Sequence, residues 1–417
     1  MIRARAASLA RVAVVLLCTL GASARAADPH PVVILLSWDG TRYDYPSRVT
    51  TEALARMARD GGHASRLTPV FPSSTFPNHV SLATGTYVDR HGIIENAFTD
   101  RRGKRFSYEN DASWIEAEPL WIAAERQNVR AAVYFWVGSE SEWRGRAATY
   151  RIRPFDPSVG EAAKVDQILK WLDLPDEARP GLVMSWWHGC DGVGHTKGPN
   201  VPEIASQLLA QDRELARLFA GLDARAAWAY TTVIVASDHG MAEITGLIDA
   251  ESALDSAGIR ARVEYSGGEG QVYLRNLAQL DAALAALAKV EGLAAYANQR
   301  LPARLRSDYP GRSGDLTLVA SPPNMLGRAT LLQRLSAAWS RLRGRSIGAH
   351  GFDPALPDMG AIFYALGRGV PRGAELGEVR AIDVAPTVAA LLGINAPEES
   401  EGRPLFRVTA SGARSEP

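Results

Sequence analysis

Cysteine is almost absent: the 417 residues carry two, Cys18 and Cys190. A disulfide-stapled scaffold is therefore excluded. An excess of one charge is also missing, because 46 Lys and Arg balance 46 Asp and Glu to a formal net charge of zero. That balance excludes a basic nucleic-acid surface or an acidic tail as the organising feature. Beyond residue 26 no stretch is apolar and long enough to span a bilayer, and no internal repeat or long low-complexity segment occurs. What remains is an ordinary globular composition, 46% hydrophobic, so function must be sought in local clusters.

Arg3, Arg5 and Arg11 lead into the apolar stretch 12–20, and Ala24-Arg25-Ala26 fits a small-x-small cleavage site. This is the layout of a secretory signal peptide, too short for a membrane span. Residues 1–26 are expected to be removed on export, to a bacterial periplasm or outside the cell, leaving Cys190 alone. Residues 407–417, small and polar, read as a flexible tail.

Between these ends, strands and helices alternate. Strands are expected at 32–37, 131–137, 182–186, 232–236 and 361–366. Helices are expected at 51–59, from Thr75 to just before Gly85, and at 161–172, 202–220 and 384–392. The alternation predicts an α/β fold, a mostly parallel central sheet with helices on both faces. Since the candidate site residues run from Asp39 to His350, one large domain must gather them. The pattern changes over 245–346, with Gly267-Gly268, an Ala-rich helix at 280–290 and a basic helix at 331–343 (Arg334, Arg341, Arg343, and Arg345 just beyond). We expect an inserted cap subdomain there, and a catalytic domain formed by 27–244 and 347–406.

Two clusters end apolar runs with metal-ligand chemistry: Asp191-Gly-Val-Gly-His195 and Ser237-Asp-His-Gly-Met241. Asp39, after the run 32–37, repeats the pattern, and His350 lies in a Gly-rich turn. A strand that stops at Asp-His puts a hard oxygen and an imidazole at the carboxyl edge of a sheet, where open α/β sheets place their sites. Three carboxylates and three imidazoles suffice for two zinc-like ions. Asp191 and His195 are expected on a tight loop, because two glycines separate them.

A nucleophile is offered by Phe71-Pro-Ser-Ser-Thr-Phe-Pro-Asn-His79. Taken alone, hydroxyl residues before a Pro form a helix cap. Beside six metal ligands they acquire a second use, since a helix N-terminus offers free N–H groups to a phosphate.

With these stretches the chain resembles the nucleotide pyrophosphatase/phosphodiesterase family of the alkaline phosphatase superfamily. The matching motifs occur in order: Leu35-Leu-Ser-Trp-Asp-Gly-Thr-Arg42, Pro69 to His79, His91-Gly-Ile-Ile-Glu-Asn96, Asp191 to Pro199, Val235 to Met241, and His350-Gly-Phe-Asp353. The resemblance implies an alkaline-phosphatase-like fold and two Zn2+. One ion falls to Asp39, Asp238, His239 and the nucleophile Thr75, the other to Asp191, His195 and His350. It implies that Asn96, with the backbone after Thr75, grips a phosphoryl oxygen. It also implies a phosphothreonine intermediate and a small-molecule nucleotide or other phosphodiester substrate.

Departures concern the substrate. Ser74 stands where the family often has Lys, and Trp186 where it often has Tyr. Phe76 and Trp186 are the expected substrate-facing aromatics, Trp186 being equally suited to end a buried strand. Cys190 is expected to be a small buried hydrophobe, and Lys197 and Glu269 solvated loop residues. His79, His91, His63 and His188 are assigned no ligand role. The sulfatase-type C/S-x-P-x-R signature is absent, as is a clear counterpart of the Arg with which alkaline phosphatases embrace monoesters. Diester hydrolysis is the expected activity, with a phosphomonoesterase or phospholipid-headgroup hydrolase as the alternative. A silent binding protein would show a lost ligand, and none is lost.

Overall fold

Seven consecutive side chains from Val32 to Trp38 are buried, five of them aliphatic, so this backbone must pair on both edges. It does so at the centre of an eight-stranded sheet, with Thr231–Ala236 parallel on one side and Leu182–Trp187 parallel on the other. Beyond Leu182–Trp187 lie Ala131–Tyr134 and Tyr150–Ile152. Beyond Thr231–Ala236 come Phe363–Gly367, antiparallel to both neighbours, then Gly62–His63 and Ala374–Glu375. Five of the seven pairings are parallel, which is the mostly parallel α/β sheet expected.

The computed structural model describes residues 30–109, 111–328 and 346–406. The expected signal peptide with Cys18, the basic helix at 331–343 and the tail at 407–417 lie outside these residues. No helix among the described residues is long and apolar enough to cross a membrane.

Alternation along the central strand supplies both faces. Val33 and Leu35 join one core with helices Thr75–Thr84, Leu120–Arg126 and Val384–Leu392. Val32, Ile34 and Leu36 join the other, with Ala53–Asp60, Glu161–Leu172 and Pro202–Ala224. Each fully buried aliphatic side chain contributes roughly 1.5–3 kcal/mol of transfer free energy.

A third core lies in the segment between the last parallel strand and His350. There Ala261–Ser266, Glu269–Leu274, Leu316–Ala320 and Leu293–Ala297 form an antiparallel sheet, covered by Ala250–Ser256 and Leu280–Leu287. The hairpin tip Gly267-Gly268 touches the site loop, since Gly268 N–H donates to the His350 carbonyl at 2.9 Å. Gly267 has φ +58°, and a Cβ there would stand 2.1 Å from that carbonyl oxygen, so only glycine fits.

Some boundaries differ from expectation for local reasons. The strand expected at 131–137 stops at Tyr134, because Phe135 turns to φ 63°. The helix expected at 51–59 spans Ala53–Asp60, its first N–H groups taken by the Asp212 carboxylate across the domain. The last core strand begins at Phe363, because Ala361 bridges Arg42 and Leu67 instead.

Candidate active site

Three adjacent parallel strands end at one edge of the sheet. Val32–Trp38 leads to Asp39, Leu182–Trp187 leads through a turn to Asp191, and Thr231–Ala236 leads to Asp238 and His239. Asp191 is on a helix, Asp191–Lys197, which corrects the expected tight loop. Aspartate and histidine four apart on a helix share a face, and here Asp191 Oδ1 lies 3.2 Å from His195 Nε2. Glycine costs about 1 kcal/mol in a helix; close packing favours it at Gly194, while Gly192 faces open space. A Cβ on Gly194 would stand 3.0 Å from the Met241 side chain, and one on Gly348 would stand 2.5 Å from the Gly194 carbonyl.

The three imidazoles follow one scheme. Nδ1 of His195 lies 3.0 Å from the Gly348 carbonyl, that of His239 2.8 Å from Gly240, and that of His350 3.1 Å from Ser73. A carbonyl only accepts, so each Nδ1 carries a proton. Nε2 of His239 and His350 then presents a lone pair to the site, while at His195, against the effect of burial, Asp191 beside Nε2 raises the imidazole's pKa. His239 Nε2 sits 3.2 Å from Asp238 Oδ2, 3.7 Å from Asp39 Oδ1 and 3.2 Å from the Thr75 hydroxyl. His350 Nε2 is 3.8 Å from Asp191 Oδ1.

The carboxylates complete the test for a metal. Trp186 Nε1–H donates to Asp39 Oδ2 at 2.8 Å, and Gly40 N–H donates to Asp238 Oδ1 at 3.0 Å. The remaining oxygens, Asp39 Oδ1, Asp238 Oδ2 and Asp191 Oδ1, are buried with no hydrogen-bond donor. Buried acceptors facing imidazole lone pairs are unfavourable unless a metal ion or a proton stands between them. Residues Asp191, His195 and His350 form one such cradle, and Asp39, Asp191 and His239 another.

His79 also lies within reach of Asp39 and Asp238. It is not a ligand, because Nδ1–H donates to the Thr75 carbonyl at 2.8 Å and Nε2 faces the Ser37 hydroxyl at 2.7 Å. Burial, then Asp238 and Asp191, push Asp39 well above the ordinary carboxylate range, and burial pushes Asp238 up to about 7. Burial pushes His239 down to about 4 and His350 down as well, which keeps both neutral and able to ligate.

Thr75 opens helix Thr75–Thr84 and is the one residue between Phe71 and Val80 that is not buried. The Phe76 N–H donates to Asn96 Oδ1 at 2.7 Å, so the Asn96 amide is held at the N-terminus of the nucleophile's helix. Phe76 itself is 9% exposed and meets Phe106 and Tyr108 edge-on.

Trp186 is half-buried, its N–H on Asp39 and its ring beside His188 and Phe155 with the Lys164 ammonium 4.6 Å from its centre. That contact makes a prediction. Trp186→Phe keeps an aromatic ring and removes the donor, so affinity for an added divalent cation should fall by roughly 10- to 100-fold, as for other groups that orient a ligand. Competition with a chelating dye measures it, and unchanged affinity would rule out this use of the indole.

Other expectations change. Glu269 is a strand residue, 1% exposed, and no solvated loop group. Lys197 is exposed and paired with Glu203 at 2.8 Å. Cys190 is buried, its thiol pushed up to about 12 by burial, as suits a small hydrophobe. His188, assigned no partner from sequence, meets Glu161 at 2.7 Å. Two residues near the site were given no role from sequence, although Glu95 lies within the matching motif His91 to Asn96. Tyr108, 61% exposed, donates its N–H to the Asn96 carbonyl, and Glu95 is buried between Ser74 and Asn96.

Comparison with known proteins gives a consistent picture. Residues 33–353 match the family described as type I phosphodiesterase / nucleotide pyrophosphatase. A pyrophosphatase/phosphodiesterase of Schizosaccharomyces pombe, described as uncharacterised, is 33% identical over 351 residues, 80% of this chain and 71% of that protein. Human ectonucleotide pyrophosphatase/phosphodiesterase 5 superposes with a TM-score of 0.77 at 27% identity, covering 88% of this chain and 96% of that one. An inactive threonine-to-alanine variant of the murine counterpart, in complex with AMP, superposes with a TM-score of 0.78 at 26% identity over the same shares.

Proposed function

Because the chain belongs to the type I phosphodiesterase / nucleotide pyrophosphatase family, and so is a hydrolase of phosphodiester bonds, we propose that it is an exported two-zinc enzyme acting on nucleotides through a phosphothreonine on Thr75. The observation that carries this is the hydroxyl of the partly exposed Thr75, 3.2 Å from His239 Nε2, beside three buried carboxylate oxygens without donors.

Asp39, Asp238, His239 and Thr75 would hold one ion, and Asp191, His195 and His350 the other. Bound there, two divalent cations supply Lewis-acid polarisation of the phosphoryl group and lower the pKa of a nearby hydroxyl, as zinc lowers that of water from 15.7 to about 7. The residues of this chain do the rest. The Asn96 side-chain NH2, its oxygen already held by the Phe76 N–H, donates to one phosphoryl oxygen at the start of the nucleophile's helix. Thr75 Oγ1 forms the new bond to phosphorus in line while the ester oxygen departs with its alcohol or nucleotide. Water then breaks the Oγ1–P bond, returning the hydroxyl and releasing a monoester. The buried His79 holds the Thr75 carbonyl and steadies the first turn.

The charged groups acting most strongly on Asp39, Asp191 and Asp238 are one another and the imidazoles. A singly charged diester suits such a site better than a dianionic monoester. Phe76 and Trp186 are the aromatic surfaces assigned to the substrate, and the AMP complex of the murine relative supports a nucleoside monophosphate group. The segment 245–346 is assigned as a cap whose hairpin braces His350.

The test compares initial rates of zinc-loaded protein on the nitrophenyl ester of thymidine 5′-monophosphate and on nitrophenyl phosphate. A diester preference of about 100-fold or more, roughly 2.7 kcal/mol in transition-state binding, is expected. A monoester preference would move the chain to the phosphatases.

A further inference from the structure

Ser74 occupies the N-cap position of the nucleophile's helix, in extended backbone, yet its hydroxyl caps nothing. Serine there ordinarily accepts an N–H of the first turn, a bond worth about 1 kcal/mol. Here Ser74 Oγ turns away and donates to Glu95 Oε2 at 3.0 Å. The other oxygen of Glu95 accepts the Asn96 backbone N–H at 2.7 Å. Ser266, at the end of a strand of the inserted sheet, lies close enough to lower the Glu95 pKa slightly against the larger effect of burial.

Glu95 is 3% exposed and Ser74 fully buried, and behind them Glu269 is a second buried carboxylate, with Gln271 as its donor. These partners of Glu95 are neutral donors. A carboxylate buried without a counter-charge is costly, so its position requires a reason that packing does not supply. Its contacts give one, since both oxygens reach groups one residue from, or on, the proposed reacting pair Thr75 and Asn96. The Asn96 amide in turn accepts the Phe76 N–H, which closes a ring from Ser74 through Glu95 and Asn96 back to the helix.

We propose that Glu95 is a positioning residue that ties the N-cap of the nucleophile's helix to the segment carrying Asn96, holding Thr75 and the Asn96 amide at the separation a phosphoryl group requires. This rests on the phosphodiesterase function proposed above. It also gives the Ser at position 74 a use: its hydroxyl is small enough to be buried against Glu95.

The experiment is a double-mutant cycle with Ser74→Ala, Glu95→Ala and both together, plus Glu95→Gln. Turnover of the thymidine monophosphate nitrophenyl ester is measured along with binding of inorganic vanadate, a mimic of five-coordinate phosphorus. Because a displacement near 1 Å can cost about 100-fold in rate, Glu95→Ala should lower kcat by roughly 30- to 100-fold with KM within about threefold. Ser74→Ala should lose roughly tenfold, and the double variant should be no worse than Glu95→Ala alone. Glu95→Gln, which keeps one acceptor, should recover part of the loss, and vanadate affinity should follow kcat. Simply additive losses, or a kcat within about twofold of wild type in Glu95→Ala, would overturn the proposal. If Glu95→Ala does not fold, Ser74→Ala and Glu95→Gln decide. If the wild-type protein cleaves no diester, the proposed function fails by itself, and vanadate binding still decides the role of Glu95.

Discussion

Thr75→Ala is expected to lower kcat on the thymidine monophosphate nitrophenyl ester by about 10⁴-fold or more, because nucleophile removal in comparable covalent enzymes costs that much. Melting temperature and zinc content should change little. Thr75 is the unburied member of an otherwise buried stretch, so deleting its hydroxyl leaves no hole in the core. The other residues proposed to hold that ion stay in place, with Asp39 Oδ1 and Asp238 Oδ2 lying 3.7 and 3.2 Å from His239 Nε2. Thr75→Ser keeps a hydroxyl on the same helix turn and should retain a measurable share of activity. Acid quenching of wild type with a phosphorus-labelled substrate should leave label on the protein, and on the Ala variant none. If Thr75→Ala keeps more than about one tenth of the rate, a covalent step on this residue is excluded.

Removal of bound metal is expected to have a somewhat smaller effect on activity and a larger one on stability. Dialysis against a strong chelator should reduce turnover by about 10³-fold or more, since the Lewis acid that polarises the phosphoryl group is then gone. The physical reason lies in the donor set. Asp39 Oδ1, Asp191 Oδ1 and Asp238 Oδ2 are buried without donors, facing imidazole nitrogens that carry lone pairs. Without cations these groups repel, and each cation that binds only the folded state adds stability, about 4 kcal/mol at a free concentration a thousandfold above its Kd. A melting temperature several degrees lower in the stripped protein, restored by zinc, is the expected result. Magnesium should restore little, because three imidazoles favour a borderline-soft ion over one that demands oxygen ligands. Full activity after exhaustive chelation would exclude a metal role.

Much of the site was legible in the chain because its chemistry is written at strand ends. A buried strand ending at Asp39 or at Asp238-His239 advertises itself by an apolar run and a sharp change of residue type, and order along the chain then separates the motif set from chance. The same local logic failed where the deciding contact came from afar. Two glycines between Asp191 and His195 argue for a loop, but the segment is helical, with Gly194 packed so that a Cβ would stand 3.0 Å from the Met241 side chain. Trp186 looks like an aromatic platform, but the structure adds that its N–H reaches Asp39, 147 residues away. Ser74 reads as a helix cap, yet its hydroxyl goes to Glu95.

Glu269 shows the same limit in reverse. From sequence it is a charged residue after two glycines, and solvation is the ordinary expectation. Its burial follows from strand Glu269–Leu274 pairing on both sides within the inserted sheet, a matter of long-range register. The sequence by itself determined the fold class and pointed to the segments that carry the candidate ligands and the proposed nucleophile, because residue chemistry and hydrophobic period are local properties. The tertiary structure alone decided which nitrogen each histidine presents, which carboxylate oxygens lack donors and which groups hold Thr75 to Asn96. Those depend on hydrogen bonds between segments far apart in the chain, which only the packed fold brings together.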